Sequence, residues 1–120
     1  MSHLRVSEYH AHIYFHEGTR ASALQLRAAI EEKFGKALIL HSVAEGPRGP
    51  HVWPMFGVDI PVGLLTEVLE LLFFRRGPHS VLVHPVTGDD LRDHTQHALW
   101  LGTPLPLNLG VLNGSQAQSL

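Results

Sequence analysis

Ten of the 120 residues are histidines, spread from His3 to His97, and the chain contains no cysteine. Imidazole ligates transition metals as a neutral base and exchanges protons close to neutral pH. The absence of thiols excludes disulfides, thiolate nucleophiles and sulfur-ligated zinc, so any metal must be held by nitrogen and oxygen. The histidines are too dispersed to be an affinity tag. Each one alone suits an ordinary surface or strand-edge hydrogen bond, whereas three or four on one face would form a metal site with positions left for substrate or water. Two other chemistries are absent. No His-Glu-x-x-His zinc protease motif is present, and Gly46-Pro47-Arg48-Gly49-Pro50 lacks the Lys-Ser or Lys-Thr of a phosphate loop.

The elements that must bring these residues together are legible from periodicity. Residues 9–15 alternate with a period of two and form a strand; residues 19–34 carry Ala23, Leu26, Ile30 and Phe34 at helical spacing, with Thr19 as cap and Gly35 as stop. Residues 37–43 and 55–60 are strands. Pro61 opens an apolar helix with Leu65, Val68, Leu69, Leu72 and Phe73 inward, ended by Arg75-Arg76-Gly77-Pro78. Residues 80–84 form a fourth strand, residues 90–99 a short helix, and residues 103–112 an extended segment. The order predicts an α+β fold, the ferredoxin-like βαββαβ arrangement: a four-stranded antiparallel sheet, two helices on one face and a C-terminal extension. Residues 1–112 are read as one domain and residues 113–120 as a flexible tail.

Strand alternation then sorts the faces. With Ala11, Ile13 and Phe15 under the helices, His10, His12, Tyr14 and, continuing the run, His16 lie on the other face. In residues 80–84, Val81 and Val83 face the helices and leave Leu82 and His84 beside the first-strand histidines. Phe56, Val58 and Ile60 send Met55, Gly57 and Asp59 to the open side, with His51 and Trp53 close by. The segment bearing His94 and His97 is available to fold over this surface. Tyr14, Trp53 and Trp100 could stack on an aromatic ligand. Asp89, Asp90 and Asp93 suit the first turn of a helix.

Composition narrows the alternatives. Hydrophobic residues make up 44% and charged residues 17%, with 9 basic against 11 acidic side chains and a net charge of -2, the balance of one folded domain. No basic stripe is present for nucleic acid. No apolar run is long enough for a bilayer and no signal core is seen at the start, so a cytoplasmic protein without membrane partners is expected.

Four blocks carry a family resemblance: Tyr9-His10-Ala11-His12-Ile13-Tyr14-Phe15; Gly49-Pro50-His51 with Met55-Phe56; Ser80-Val81-Leu82-Val83-His84-Pro85; and Asp93-His94-Thr95 with Trp100-Leu101-Gly102. In this order they resemble the DOPA 4,5-dioxygenase family of small aromatic ring-opening dioxygenases. The resemblance implies a ferredoxin-like subunit, a homodimer, and extradiol cleavage of a catechol such as DOPA by non-haem Fe(II) and O2, zinc being an alternative occupant in purified protein. It places His12, His51, His84 and His94 on the family's histidine positions. His12, His51 and His84 are assigned as metal ligands, His10 and His94 as acid and base, and Tyr14, Trp53 and Trp100 as substrate contacts. Two departures stand out: Gly57 where the family carries a glutamate, and Val86 where it carries an asparagine. The rival expectation is a non-catalytic or zinc-binding ferredoxin-like dimer whose histidine-rich face is an interface or ligand site.

Overall fold

The computed structural model describes residues 6–112; the expected tail at 113–120 lies outside the described residues. Strands β1 (Glu8–Tyr14), β2 (Ile39–Leu40), β3 (Met55–Pro61), β4 (Val81–Pro85) and β5 (Leu99–Leu101) form one antiparallel sheet in the order β2-β3-β1-β4-β5. Helices α1 (Arg20–Phe34) and α2 (Leu65–Arg75) follow β1 and β3, and a single turn, α3 (Asp90–Asp93), precedes β5. The expected α+β class holds, but the sheet has five strands rather than four, and β2 is two residues instead of seven.

Both differences have local causes. The expected helix at 90–99 stops after one turn, because Thr95 Oγ1 donates to the Leu91 carbonyl (2.6 Å) and the His97 N–H turns back to Arg92 O (2.9 Å). The Leu-Trp-Leu run is then released to pair with the free edge of β4, Trp100 opposite Leu82, a stronger demand for backbone partners than a solvated helix end makes. Residues 35–37 form a 3-10 turn, which delays β2; His41 N–H still reaches Gly57 O (2.9 Å) and extends the edge by one bond.

Ala11, Ile13, Phe15, Phe56, Val58, Ile60, Val81 and Val83 meet Ala23, Leu26, Ile30, Val68, Leu71 and Leu72 in the main core. The predicted strand faces are therefore the observed ones. Phe73, expected inward, is 57% exposed, since the buried stripe of α2 is centred on Val68, Leu71 and Leu72. Thr19 makes no side-chain cap on α1; its hydroxyl instead accepts from the His16 N–H (3.0 Å).

The opposite sheet face is not open. Tyr14, Met55 and Leu82 pack there against Ala44, Trp53, Ala98, Trp100, Leu105 and Leu107, so segments before β3 and after α3 cover it. This second, smaller core walls in the histidines. A dimer interface formed by that face, part of the rival expectation, would have to displace the chain's own cover.

Candidate metal centre

Five histidines gather under that cover. His10 and His12 project from one face of β1, and antiparallel register sets His10 opposite His84 and His12 opposite Leu82 of β4. His51 arrives from the loop before β3, where residue 51 is bridged to Arg48 and to Leu107, and His94 stands immediately after α3. Around His12 the ring centroids of His51, His84 and His94 lie at 4.0, 5.2 and 6.1 Å, and His84 is 4.3 Å from His94. Donor atoms of His12, His51 and His94 all lie within 4.8 Å of one another, as do those of His10, His12 and His84. His12 belongs to both sets.

Hydrogen-bond chemistry fixes the protons. A carbonyl oxygen only accepts, so His84 Nδ1–H donates to Pro85 O (2.8 Å) and His94 Nδ1–H donates to Asp90 O (2.8 Å). Each ring is thus held with a bare Nε2. That of His84 lies 3.1 Å from His12 Nε2. The Tyr14 oxygen is 2.7 Å from His51 Nδ1, which turns the other nitrogen of that ring away from the phenol. These are the outer contacts that orient metal-binding histidines.

Burial and crowding favour the neutral form of His12, His51 and His84. Burial holds His12 well below the usual imidazole value, and its neighbours His51, His84, His94 and His10 add to the effect. His51 is lowered to about 4 by burial and by His94 and His84; His84 also falls to about 4, burial outweighing its bond to Pro85. Neutral imidazoles packed together offer lone pairs without charge, the state a cation requires of them. His12 Nδ1 is shut off from solvent and has no hydrogen-bond partner. A Cβ on Gly57 would stand 3.7 Å from it.

The loop carrying His94 is pinned by Asp93, which is 1% exposed. It accepts from Thr87 N–H (2.9 Å), Thr87 Oγ1 (2.7 Å) and His97 Nδ1 (3.0 Å). Burial pushes its carboxyl up, but these bonds outweigh burial and leave it below the usual value. The first-turn role expected of Asp93 is therefore incomplete; Asp89 takes the cap, accepting from Arg92 N–H at 3.1 Å. Replacing Asp93 by alanine should cost about 3 kcal/mol, since three donors lose a buried anionic acceptor; a denaturant midpoint equal to wild type would contradict this.

The other expected site residues fall as follows. His10 lies beside the cluster, but its Nε2 is taken by Glu8 Oε2 (2.8 Å) and Asp59 Oδ1 (3.2 Å), which weakens it as a free acid or base. Tyr14 is 2% exposed, its ring stacked on Trp100 at 5.8 Å, so protein contacts occupy the surface expected to meet a substrate. Trp53 stands edge-on to His16 at 6.0 Å. His16 itself leaves the face, its ring accepting from Gly18 N–H (3.0 Å). Sequence reasoning missed His79, 2% exposed, whose Nδ1–H donates to Tyr14 O (3.0 Å) and whose Nε2 accepts from Ser22 Oγ (2.9 Å). It ties α1 to β1 and stands apart from the cluster. Its place just outside β4 gave no periodic signal.

Among known proteins, the family model described as the Dopa 4,5-dioxygenase family matches residues 9–111. A DOPA 4,5-dioxygenase of Amanita muscaria is 37% identical over 114 residues, 89% of this chain and 50% of that protein. An uncharacterized 21.2 kDa protein of Botryotinia fuckeliana is 33% identical over 92% of this chain and 66% of its own length. The chain thus spans half to two thirds of these curated relatives. A crystal structure of a "putative dioxygenase" from Nostoc punctiforme superposes with a TM-score of 0.86 at 32% identity, covering 92% of this chain and 95% of that one. Among the described residues no helix is long and apolar enough to cross a membrane.

Proposed function

The chain belongs to the Dopa 4,5-dioxygenase family, and from that premise we propose that it opens the ring of a catechol such as DOPA beside its hydroxyls, using O2 and an Fe(II) ion held by the imidazole cluster. The observation that carries this is the meeting of His12, His51, His84 and His94, from four separate parts of the chain, around one centre. Their donor set fits the ion. Neutral imidazole suits Fe(II), and His84 Nε2, 3.1 Å from His12 Nε2, stands beside whatever is bound there. The bare Nε2 atoms of His84 and His94 are already turned from their carbonyl partners.

We assign His12, His51 and His94 as the three ligands, since their donors lie mutually within 4.8 Å. This exchanges His94 for His84 in the set expected from the sequence, which favoured histidines on strands or at their ends. Bound there, Fe(II) supplies open positions for the catechol oxygens and O2. The chain's own groups do the rest. His84, whose Nδ1–H is held by Pro85 O and whose Nε2 faces the cluster, is placed to accept a catechol proton in place of His10. The second core around Tyr14, Trp100 and Leu82 keeps bulk water from the ring. The hydrogen bond between His51 Nδ1 and the Tyr14 hydroxyl (2.7 Å) orients that ring and leaves Nε2 to the ion.

Tyr14 is accordingly a positioning residue. Tyr14→Phe should weaken cation binding about 10–100-fold, the usual cost of losing an outer contact, read by competition with a chromophoric chelator; unchanged affinity would count against the assignment. The reaction itself is tested by loading the protein with Fe(II) anaerobically, adding DOPA and admitting O2. A yellow ring-opened product and one O2 consumed per DOPA are expected. Iron retention with no O2 uptake on DOPA or simple catechols would overturn the proposal. A homodimer is part of the same proposal, and sedimentation analysis decides it.

A further inference from the structure

At the edge of the imidazole cluster, Glu8, His10 and Asp59 bring together donors that the proposed reaction does not use, and His41 adjoins them through Asp59. His10 of β1 is paired in register with Asp59 of β3, and Glu8 projects from the same side of β1 two residues earlier. His10 Nε2 lies 2.8 Å from Glu8 Oε2 and 3.2 Å from Asp59 Oδ1, and the same Asp59 oxygen is 3.0 Å from His41 Nε2. Donor atoms of Glu8, His10 and Asp59 all lie within 4.8 Å of one another. Among the described residues neither carboxylate is paired with lysine or arginine, although the Asp59 side chain is only 20% exposed. The two crowded anions therefore have only imidazoles as direct partners, an arrangement that a divalent cation neutralises.

Access is also built in. A cavity of about 210 Å³ is lined by His10, His12, His41 and Asp59 together with Arg48 and Gly57, and another of about 180 Å³ by Glu8 and Asp59. Asp59 borders both, so a hydrated ion has a way in from either.

We propose that Glu8, His10, His41 and Asp59 form a second cation site, distinct from the His12 centre, for a first-row divalent ion such as zinc or manganese. Two imidazole nitrogens and two carboxylate oxygens match that class; an all-oxygen shell, which calcium or magnesium prefers, is not available from this set. The two carboxylates carry a charge of -2 that the ion balances. Because His41 follows the two-residue β2, the ion clamps the sheet's weakest edge to β1 and β3. The site is a structural one and needs no turnover to be seen.

The test uses zinc on protein stripped with a chelator, with bound metal counted after desalting and melting followed in parallel. Wild type should retain two equivalents, His12→Ala one, Asp59→Asn one, and the double variant none; zinc should raise the melting temperature of His12→Ala but not of the double variant. The His12→Ala background separates this site from the catalytic proposal: if the imidazole centre failed to hold metal, wild type and His12→Ala would each bind one equivalent and Asp59→Asn none. Zinc retained equally by His12→Ala and the double variant, or no zinc at all in His12→Ala, overturns the second site.

Discussion

His12→Ala should abolish ring cleavage and cut cation affinity at the imidazole centre by at least about a thousandfold, well beyond the 10–100-fold typical of an outer-contact loss, while the metal-free fold survives. His12 is the residue common to both triads of the cluster, with its ring centroid 4.0–6.1 Å from those of His51, His84 and His94. Its removal leaves no set of three on this side. The cost to the fold is small for a reason visible at the same residue. The unpartnered, solvent-excluded Nδ1 of His12 is a standing penalty of about 1–3 kcal/mol in the metal-free chain, and alanine removes it as it opens a cavity. The metal-free melting temperature should therefore move little. Competition with a chromophoric chelator reads the affinity, O2 uptake reads the activity, and full activity in this variant would take His12 out of the metal shell.

The second large effect is on acid stability. In the metal-free protein His51 and His84 titrate at about 4, against an ordinary value of 6.5. Well above pH 6.5 these rings are neutral in both the folded and the unfolded chain, and stability is at its full value. As the pH falls below 6.5, the unfolded chain takes up protons that the folded one refuses. Stability then drops by about 1.4 kcal/mol per pH unit for each histidine, until the loss levels off below pH 4. Over the whole window the two together reach about 7 kcal/mol as an upper bound, comparable with the 5–15 kcal/mol that holds a small domain folded. His12, lowered in the same direction, steepens the fall. Denaturant midpoints in the presence of a chelator should decline steadily from pH 7 to pH 4.5, and bound metal should shift the decline to lower pH because it excludes the protons. A midpoint flat across this range would show that the rings are not buried together.

Much of this was legible in the sequence because a strand has a period of two. Once Ala11, Ile13 and Phe15 are taken as core, His10, His12 and Tyr14 have no choice of face, and Val81 and Val83 impose the same on His84. His51 was placed only by counting back from the strand at 55–60, and His94 only as part of a segment free to fold over the face, because both sit in loops where no period constrains direction. What stayed hidden depended on tertiary contacts. Nothing in Leu99-Trp100-Leu101 distinguishes a helix end from a strand until the free edge of β4 is seen beside it. Tyr14 looks like a ring-stacking residue until its oxygen is found on His51. The carboxylates that engage His10 are ordinary surface residues in sequence, and only the pairing of His10 with Asp59 brings them together.

Crystals grown anaerobically with Fe(II) and measured on either side of the iron absorption edge test the central claim most directly. An anomalous peak about 2.1–2.2 Å from ring nitrogens of His12, His51 and His94, absent from crystals of His12→Ala, is the predicted result. Density for the same histidines with no anomalous peak among them, under conditions where iron remains bound to the protein, would contradict it.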